Sequence, residues 1–195
     1  MESKIKTKKQ NPIKKIWEFL KKDTWQSWIF SIILLFILIK FILFPTLTFI
    51  TGSPLPLVVV ESCSMYHESS FDDWWGKNAA WYGSRNISLS DFSSFSFNGG
   101  LNKGDIVLVI SKKNYDVGDI IIFKAQTVHP LIHRLISLSP LATKGDHNPD
   151  QLSIEKEIED NAILGKAAIK MPLLGWLKLI FYDFSNPPSQ RGFCK

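Results

Sequence analysis

Ser64 is the residue whose neighbours best suit nucleophilic chemistry. It lies in the run Glu61-Ser62-Cys63-Ser64-Met65, shortly after the one long hydrophobic stretch of the chain. A serine hydroxyl becomes a nucleophile when a base lies within hydrogen-bonding distance and a third group orients that base. Cys63 is the alternative nucleophile, but its thiolate would need stabilisation, and strand alternation points its side chain away from Ser64. Ser64 is therefore the candidate nucleophile, and its base must come from elsewhere in the chain.

Histidine is the side chain best suited to act as that base, because its ordinary pKa lies near neutrality. The chain has four histidines, at positions 67, 129, 133 and 147. His133 lies in an apolar run that we predict to be a strand, on the face opposite Arg134. Taken alone, a histidine in such a run more often has a structural role, so the residues leave catalysis and structure both open.

An orienting carboxylate would accept the second N–H of the imidazole and stabilise the imidazolium. Asp146 and Asp150 are the candidates, both in the turn-rich loop after the His133 run. A metal site is the competing role for His133, because His129 lies four residues before it. Pro130 and the surrounding β-branched residues argue against the helix that this spacing requires, and no glutamate follows His129 as in zinc peptidases. We expect no metal ion and no cofactor.

Short apolar runs separated by turns predict a mainly β domain built from antiparallel sheets. The predicted strands are residues 57–60, 104–110, 118–123, 131–138 and 162–170, and two of them begin with a Gly-Asp turn. Ser64 then lies where a strand passes into a turn, which is a position that exposes a nucleophile. The two cysteines, Cys63 and Cys194, do not indicate a disulfide framework.

Two segments differ from this β pattern. Residues 66–102 mix Trp, Tyr and Phe with polar residues, and a short helix is predicted near Phe71–Tyr82. This aromatic insertion either lies at a membrane interface or forms a satellite core on the main domain, and the sequence leaves both readings open. Residues 171–184 are apolar but too short to span a bilayer, which indicates an interfacial segment or a domain-closing helix.

Charge and hydropathy divide the 195 residues into a tail, an anchor and a domain. Residues 1–22 hold eight lysines and two glutamates, a net charge of +6, whereas the whole chain carries +5. Because the excess of basic over acidic residues is confined to this tail, we expect no nucleic-acid binding. Lysines flank the N-terminal end of the apolar stretch, so we predict a cytoplasmic tail over 1–24, an uncleaved transmembrane helix over 25–50 and an extracytoplasmic domain over 51–195.

Five motifs in order resemble those of the type I signal peptidases, membrane-bound serine peptidases that remove signal peptides from exported proteins. Ser62-Cys63-Ser64-Met65 is similar to the Ser-x-Ser-Met nucleophile box of that family. The others are Gly104-Asp105-Ile106-Val107, Gly118-Asp119-Ile120-Ile121-Ile122-Phe123, His133-Arg134-Leu135-Ile136 and Lys144-Gly145-Asp146-His147-Asn148. Histidine stands before the arginine where bacterial members carry lysine, which is similar to the archaeal and endoplasmic-reticulum type.

The resemblance implies a signal-peptidase-like catalytic domain of antiparallel sheets behind one N-terminal transmembrane helix. It implies that Ser64 is the nucleophile and His133 its general base, with Asp146 or Asp150 as the orienting acid. It also implies that the Ser64 N–H and the Ser62 hydroxyl stabilise the oxyanion.

The partners implied by the resemblance are the signal peptides of preproteins, the lipid bilayer and the secretion machinery. Extended substrate would bind along the strand Leu57–Val60 and the region Ile120–Phe123. The domain would lie outside the cell membrane, or in the lumen if the source is eukaryotic. Two alternatives stay open: a peptidase of the same fold that processes a dedicated precursor, and a non-catalytic membrane scaffold that binds a partner through residues 66–102.

Overall fold

The structure is a computed structural model that describes residues 11–111, 114–185, 187 and 191–194. The chain divides between Leu47 and Thr48 into two units. The N-terminal unit begins with helix α1 (Pro12–Leu20), whose first turn is capped by the Asn11 side chain accepting the N–H of Ile13.

A long apolar helix follows α1. It consists of α2 (Trp25–Leu38), a π-helical turn (Ile39–Leu43) and α3 (Phe44–Thr51). The 27 residues from Trp25 to Thr51 are, by length and composition, sufficient to cross a bilayer, because a hydrocarbon core of about 30 Å needs about 20 helical residues. The prediction of one apolar N-terminal helix of membrane-spanning length is therefore confirmed.

Six antiparallel strands form a single sheet in the second unit. They are β1 (Leu57–Val59), β2 (Ile106–Ile110), β3 (Ile120–Phe123), β4 (Leu131–Leu138), β5 (Leu141–Lys144) and β6 (Ile163–Met171). Their order across the sheet is β1-β2-β6-β3-β4-β5. The antiparallel arrangement is as predicted, but the described residues form one sheet and are 40% helical and 19% strand. The description "mainly β" therefore fits the sheet but not the described residues as a whole, because the long apolar N-terminal helix and much of the aromatic insertion are helical.

The two Gly-Asp turns have the same glycine conformation and the same aspartate hydrogen bond. Gly104 and Gly118 have φ angles of +92° and +98°, a left-handed region that favours glycine. Asp105 closes the first turn by accepting the N–H of Asn102 at 2.8 Å. Asp119 likewise accepts the N–H three residues before it, at 3.0 Å. Each aspartate therefore fixes the point at which the chain enters β2 or β3.

The aromatic insertion is a satellite core packed on the sheet. It contains helices α4 (Phe71–Gly83) and α5 (Leu89–Ser94), each capped by a serine side chain at its N-terminus. The large side chains point inward and pack against β4 and β5; the buried members are Trp74, Tyr82, Ile87, Phe92, Ile136 and Ala142. This packing supports the satellite-core reading of residues 66–102 over the membrane-interface reading.

Helix α6 (Trp176–Tyr182) follows β6 and presents an apolar surface. Leu179 is fully buried, whereas Leu177 and Phe181 are 80% and 85% exposed. The predicted segment 171–184 therefore contains a short helix anchored on one side, and its exposed side has the composition that an interfacial segment requires.

Candidate active site

Ser64 and His133 lie within hydrogen-bonding distance of each other. The Oγ of Ser64 is 2.9 Å from the Nε2 of His133. His133 lies on β4 opposite Ile121 of β3 and is almost completely buried, whereas Ser64 is partly exposed in the turn after β1. A partly exposed hydroxyl on a fixed imidazole is the arrangement that activates a serine nucleophile. The structure thus brings the two predicted residues together.

Glu155 contacts the other ring nitrogen of His133. Its Oε1 lies directly against Nδ1, and the two side chains are 0% and 3% exposed. Glu155 ends a 3₁₀ turn, where its Oε2 accepts the N–H of Leu152 at 2.7 Å and its Oε1 accepts the Thr143 hydroxyl at 3.3 Å. The contact with Nδ1 is an ion pair by distance but is not aligned as a hydrogen bond. Glu155 is the carboxylate placed to orient the imidazole and stabilise the imidazolium.

Asp146 contacts Arg134 instead of His133, which corrects its predicted orienting role. The Nη2 of Arg134 donates to Oδ2 at 2.7 Å, and His67 and Tyr82 contact the same carboxylate at 3.0 and 3.2 Å. Burial opposes the ionisation of Asp146, but Arg134 and His67 outweigh it and hold the pKa well below its usual range. The physical reason for the correction is alternation along β4, which directs Arg134 and its partner to the face opposite His133.

Asp150 lies on the surface, which corrects its candidacy as the orienting acid. Its side chain is 66% exposed and lies 3.9 Å from Arg85. The indole N–H of Trp81 donates to its Oδ1 at 2.9 Å. The Trp81 hydrogen bond lowers the pKa of this carboxyl, and the contacts of Asp150 fasten the loop to α4.

Arg134 connects the loops around the site. It is fully buried, and it donates to the carbonyls of Ser96, Phe97 and Gly118 as well as to Asp146. These bonds satisfy a guanidinium that would otherwise be very costly to bury. The Arg134–Asp146 pair therefore ties the aromatic insertion and the Gly118 turn to the loop that follows β5.

The backbone around Ser64 is held through two of its carbonyl groups. The carbonyls of Ser64 and Met65 accept the N–H groups of His147 and Leu101, each at 2.8 Å. The Ser64 N–H donates to no acceptor within the described part of the chain. The Ser62 hydroxyl lies 3.1 Å from the Ser64 Oγ. These two groups are available to bind an oxyanion, and their predicted role stays a prediction.

The loop after β5 packs directly on Ser64 and His133. A Cβ at Gly145 would lie 2.8 Å from the Ser64 carbonyl oxygen and 2.9 Å from His133 Nε2, so a side chain at this position would displace them. Lys144 closes the same loop from inside, donating to the carbonyls of Gly145 and Asp146 at 3.1 and 3.3 Å. Burial lowers the pKa of Lys144 to about 8.

Cys63 forms a disulfide with Cys194, 131 residues away in sequence. This bond corrects the expectation that the two cysteines indicate no disulfide. The sequence could not reveal the bond, because two cysteines at such a separation carry no spacing signal. With its sulfur in the bridge, Cys63 has no thiol, which removes it as the alternative nucleophile.

One edge of the sheet is open beside Ser64. Pro56 and Val60, which flank β1, make backbone hydrogen bonds to Val109 and Asp105, so the alternate residues Leu57 and Val59 direct their backbone groups away from β2. Among the described residues, β1 has no other neighbour. By contrast, β3 is paired on both sides, which corrects the expectation that Ile120–Phe123 binds extended substrate. Of these two strands, β1 is therefore the one whose edge can accept an added strand.

Within the described ranges, no group of three or more His, Cys, Asp or Glu residues is arranged to hold a metal ion. His129 lies instead against the ring of Tyr182. No model of a known protein family matches this chain, and no curated protein matches it significantly.

Proposed function

We propose that this chain is a membrane-anchored serine endopeptidase of the type I signal peptidase kind, which removes signal peptides from exported preproteins. The observation that carries the proposal is the contact of Ser64 Oγ with His133 Nε2 at 2.9 Å, with Glu155 against the other ring nitrogen. The ordered motifs that resemble the family supply the substrate class.

In the proposed reaction, Ser64 Oγ attacks the carbonyl carbon of a small residue at the end of the signal peptide. His133 accepts the Ser64 proton at Nε2 and then donates it to the leaving amine, so that the peptide bond breaks and an acyl-enzyme forms. His133 next takes a proton from water, whose oxygen attacks the ester carbon; the C–Oγ bond breaks, and His133 returns the proton to Ser64 Oγ as the new carboxyl product leaves. Glu155 stabilises the imidazolium in both steps.

The developing oxyanion is stabilised by two donors, the Ser64 N–H and the Ser62 hydroxyl. The loss of one such donor typically slows a serine hydrolase by about 10²- to 10³-fold. The preprotein binds as an added strand on the outward-facing backbone of Leu57 and Val59, which leads its scissile bond to the adjacent Ser64 turn.

Membrane anchoring makes this substrate class accessible. The apolar helix Trp25–Thr51 and a basic N-terminal flank orient the tail to the cytoplasm and the peptidase to the outside, or to the lumen. Enzyme and signal peptide are then confined to one membrane, which raises their effective concentration.

The proposal is tested with the purified full chain in detergent and a panel of unrelated preproteins, with N-terminal sequencing of the products. We expect cleavage of most of the panel after a small residue, and no cleavage by Ser64→Ala or His133→Ala. Cleavage of a single precursor would favour a dedicated processing peptidase. An inert wild-type chain that binds a partner through residues 66–102 would support the scaffold alternative.

A further inference from the structure

We propose that the Cys63–Cys194 disulfide positions the nucleophile turn, and that it makes the activity depend on oxidation of the two cysteines. This inference rests on the proposed peptidase function. Cys63 stands between Ser62 and Ser64, the proposed oxyanion donor and the nucleophile, so the bridge acts on both groups at once.

The segment between Val60 and Ser64 depends on the C-terminal part of the chain for its position. Within the described residues, two side-chain contacts hold this segment from outside: the bridge, and an ion pair between Glu61 and Lys178 at 2.8 Å. The lysine of that pair is 58% exposed, and exposed ion pairs contribute little. The disulfide is therefore the main constraint on the chain leading into Ser64.

The other end of the bridge is itself fixed to the domain. Asp183 accepts the N–H of Gly192 at 2.6 Å and contacts the buried Lys103 Nζ at 2.5 Å. The ring of Phe193 packs on Trp176 with centroids 4.7 Å apart. Cys194 is thus attached to a held segment and not to a loose end, so the bridge can transmit rigidity to Cys63.

Loss of the bridge frees the residues before Ser64 and leaves the residues after it in place. The carbonyls of Ser64 and Met65 keep their hydrogen bonds, and His133 stays on β4, which is paired with β3 and β5. We expect the turn to sample positions in which the Ser62 and Ser64 hydroxyls are misplaced. A displacement of about 1 Å can slow catalysis by about 100-fold, whereas the β1 edge that binds substrate is unchanged.

The chemistry of the switch is ordinary thiol–disulfide exchange. A dithiol reductant attacks one sulfur and passes through a mixed disulfide. It leaves as a cyclic disulfide, while the two cysteines gain two electrons and two protons. When the bridge forms, a disulfide-containing oxidant, such as an oxidised thiol oxidoreductase, accepts two electrons and two protons from the cysteines. Because such bonds persist in oxidising compartments, the peptidase gains full activity after its domain leaves the cytoplasm.

The test uses the full chain in detergent, oxidised or reduced with dithiothreitol, beside the double variant Cys63→Ser/Cys194→Ser. We expect reduction to lower the kcat of the wild type by about 10- to 100-fold with KM unchanged within about twofold, and oxidised glutathione to restore it. The double variant should have the low kcat from the start and no response to either reagent. A wild-type kcat that is unchanged when mass spectrometry shows both thiols free would overturn the inference.

Hydrogen exchange gives a second readout that does not need a cleaved substrate. On reduction we expect faster exchange of amides in residues 61–64 and unchanged exchange in β3 and β4. Equal acceleration in the sheet would contradict a local positioning role and indicate a general structural one. If no preprotein is cleaved by the oxidised wild type, the proposed function fails, and the exchange data still decide whether the bridge orders the turn.

Discussion

Glu155 Oε1 lies against His133 Nδ1, with both side chains withdrawn from solvent, while His133 Nε2 lies 2.9 Å from Ser64 Oγ. The imidazole is therefore held between a carboxylate and a hydroxyl. The neighbouring Asp146 is fully engaged by Arg134 on the other face of β4. Two buried carboxylates thus have separate tasks, one facing the proposed chemistry and one holding the loops together.

In the proposed mechanism, Glu155 is the carboxylate that supports His133. The substitution Glu155→Gln keeps the shape but removes the charge that would stabilise the imidazolium, so we expect kcat to fall by about 10³- to 10⁴-fold. The matched control is Asp150→Asn, which changes an exposed carboxylate and should alter kcat less than about twofold. Equal effects of the two variants in preprotein cleavage would show that Glu155 has no special task.

The structural task belongs to Asp146. The substitution Asp146→Asn leaves the Arg134 guanidinium buried without its counter-charge, and breaking such a pair costs about 3–5 kcal/mol of unfolding free energy. Denaturant unfolding of wild type and variant measures this loss. If Asp146→Asn instead lowered kcat while leaving stability intact, the catalytic carboxylate would have to be Asp146.

Gly145 leaves space for the Ser64 carbonyl and the His133 imidazole. In Gly145→Ala the new Cβ would lie 2.9 Å from His133 Nε2, so we expect kcat to fall by about 100-fold through misplacement of the imidazole. The control is Gly76→Ala in α4, where the added Cβ meets nothing within 4 Å and should stabilise the helix by up to about 1 kcal/mol. Wild-type kcat in Gly145→Ala would contradict the packing described for this loop.

Lys144 should make stability depend on pH. Burial lowers its pKa from 10.5 to about 8 in the folded chain, so the unfolded chain binds its proton more tightly. Stability therefore rises as the pH increases from about 8 to about 10.5, by ~3 kcal/mol at most. The unfolding free energy of Lys144→Met minus that of the wild type should fall by about 2 kcal/mol between pH 7.5 and pH 10. A constant difference would contradict the burial effect.

The sequence predicted the parts of the site that depend on short-range pattern. Apolar runs after turns located β1 to β4 and β6, and the motif order paired Ser64 with His133. Glu155 could not be chosen in this way, because Glu157, Glu159 and Asp160 lie close by. Which carboxylate reaches Nδ1 depends on the 3₁₀ turn before Glu155 and on the pairing of β4 with β5, and neither has a sequence signal.

Long-range packing likewise could not be predicted from the sequence. The aromatic residues of 66–102 suited a membrane interface and a satellite core equally well, because both environments accept Trp and Tyr. The contacts of Tyr82 and His67 with Asp146 favour the satellite core, because both side chains reach Asp146 from within it. The Cys63–Cys194 bond depends on how the end of the chain returns to the nucleophile turn, which no local pattern encodes.

The most direct test of the proposed chemistry is the initial rate of preprotein cleavage by Ser64→Ala relative to the wild type, at equal amounts of folded protein. Alanine removes only the hydroxyl that His133 contacts, and loss of a serine nucleophile typically lowers kcat by about 10⁶-fold. We expect the cleavage by Ser64→Ala to fall below about 10⁻⁴ of the wild-type rate. Cleavage within tenfold of the wild type would contradict Ser64 as the nucleophile, and with it the serine peptidase mechanism.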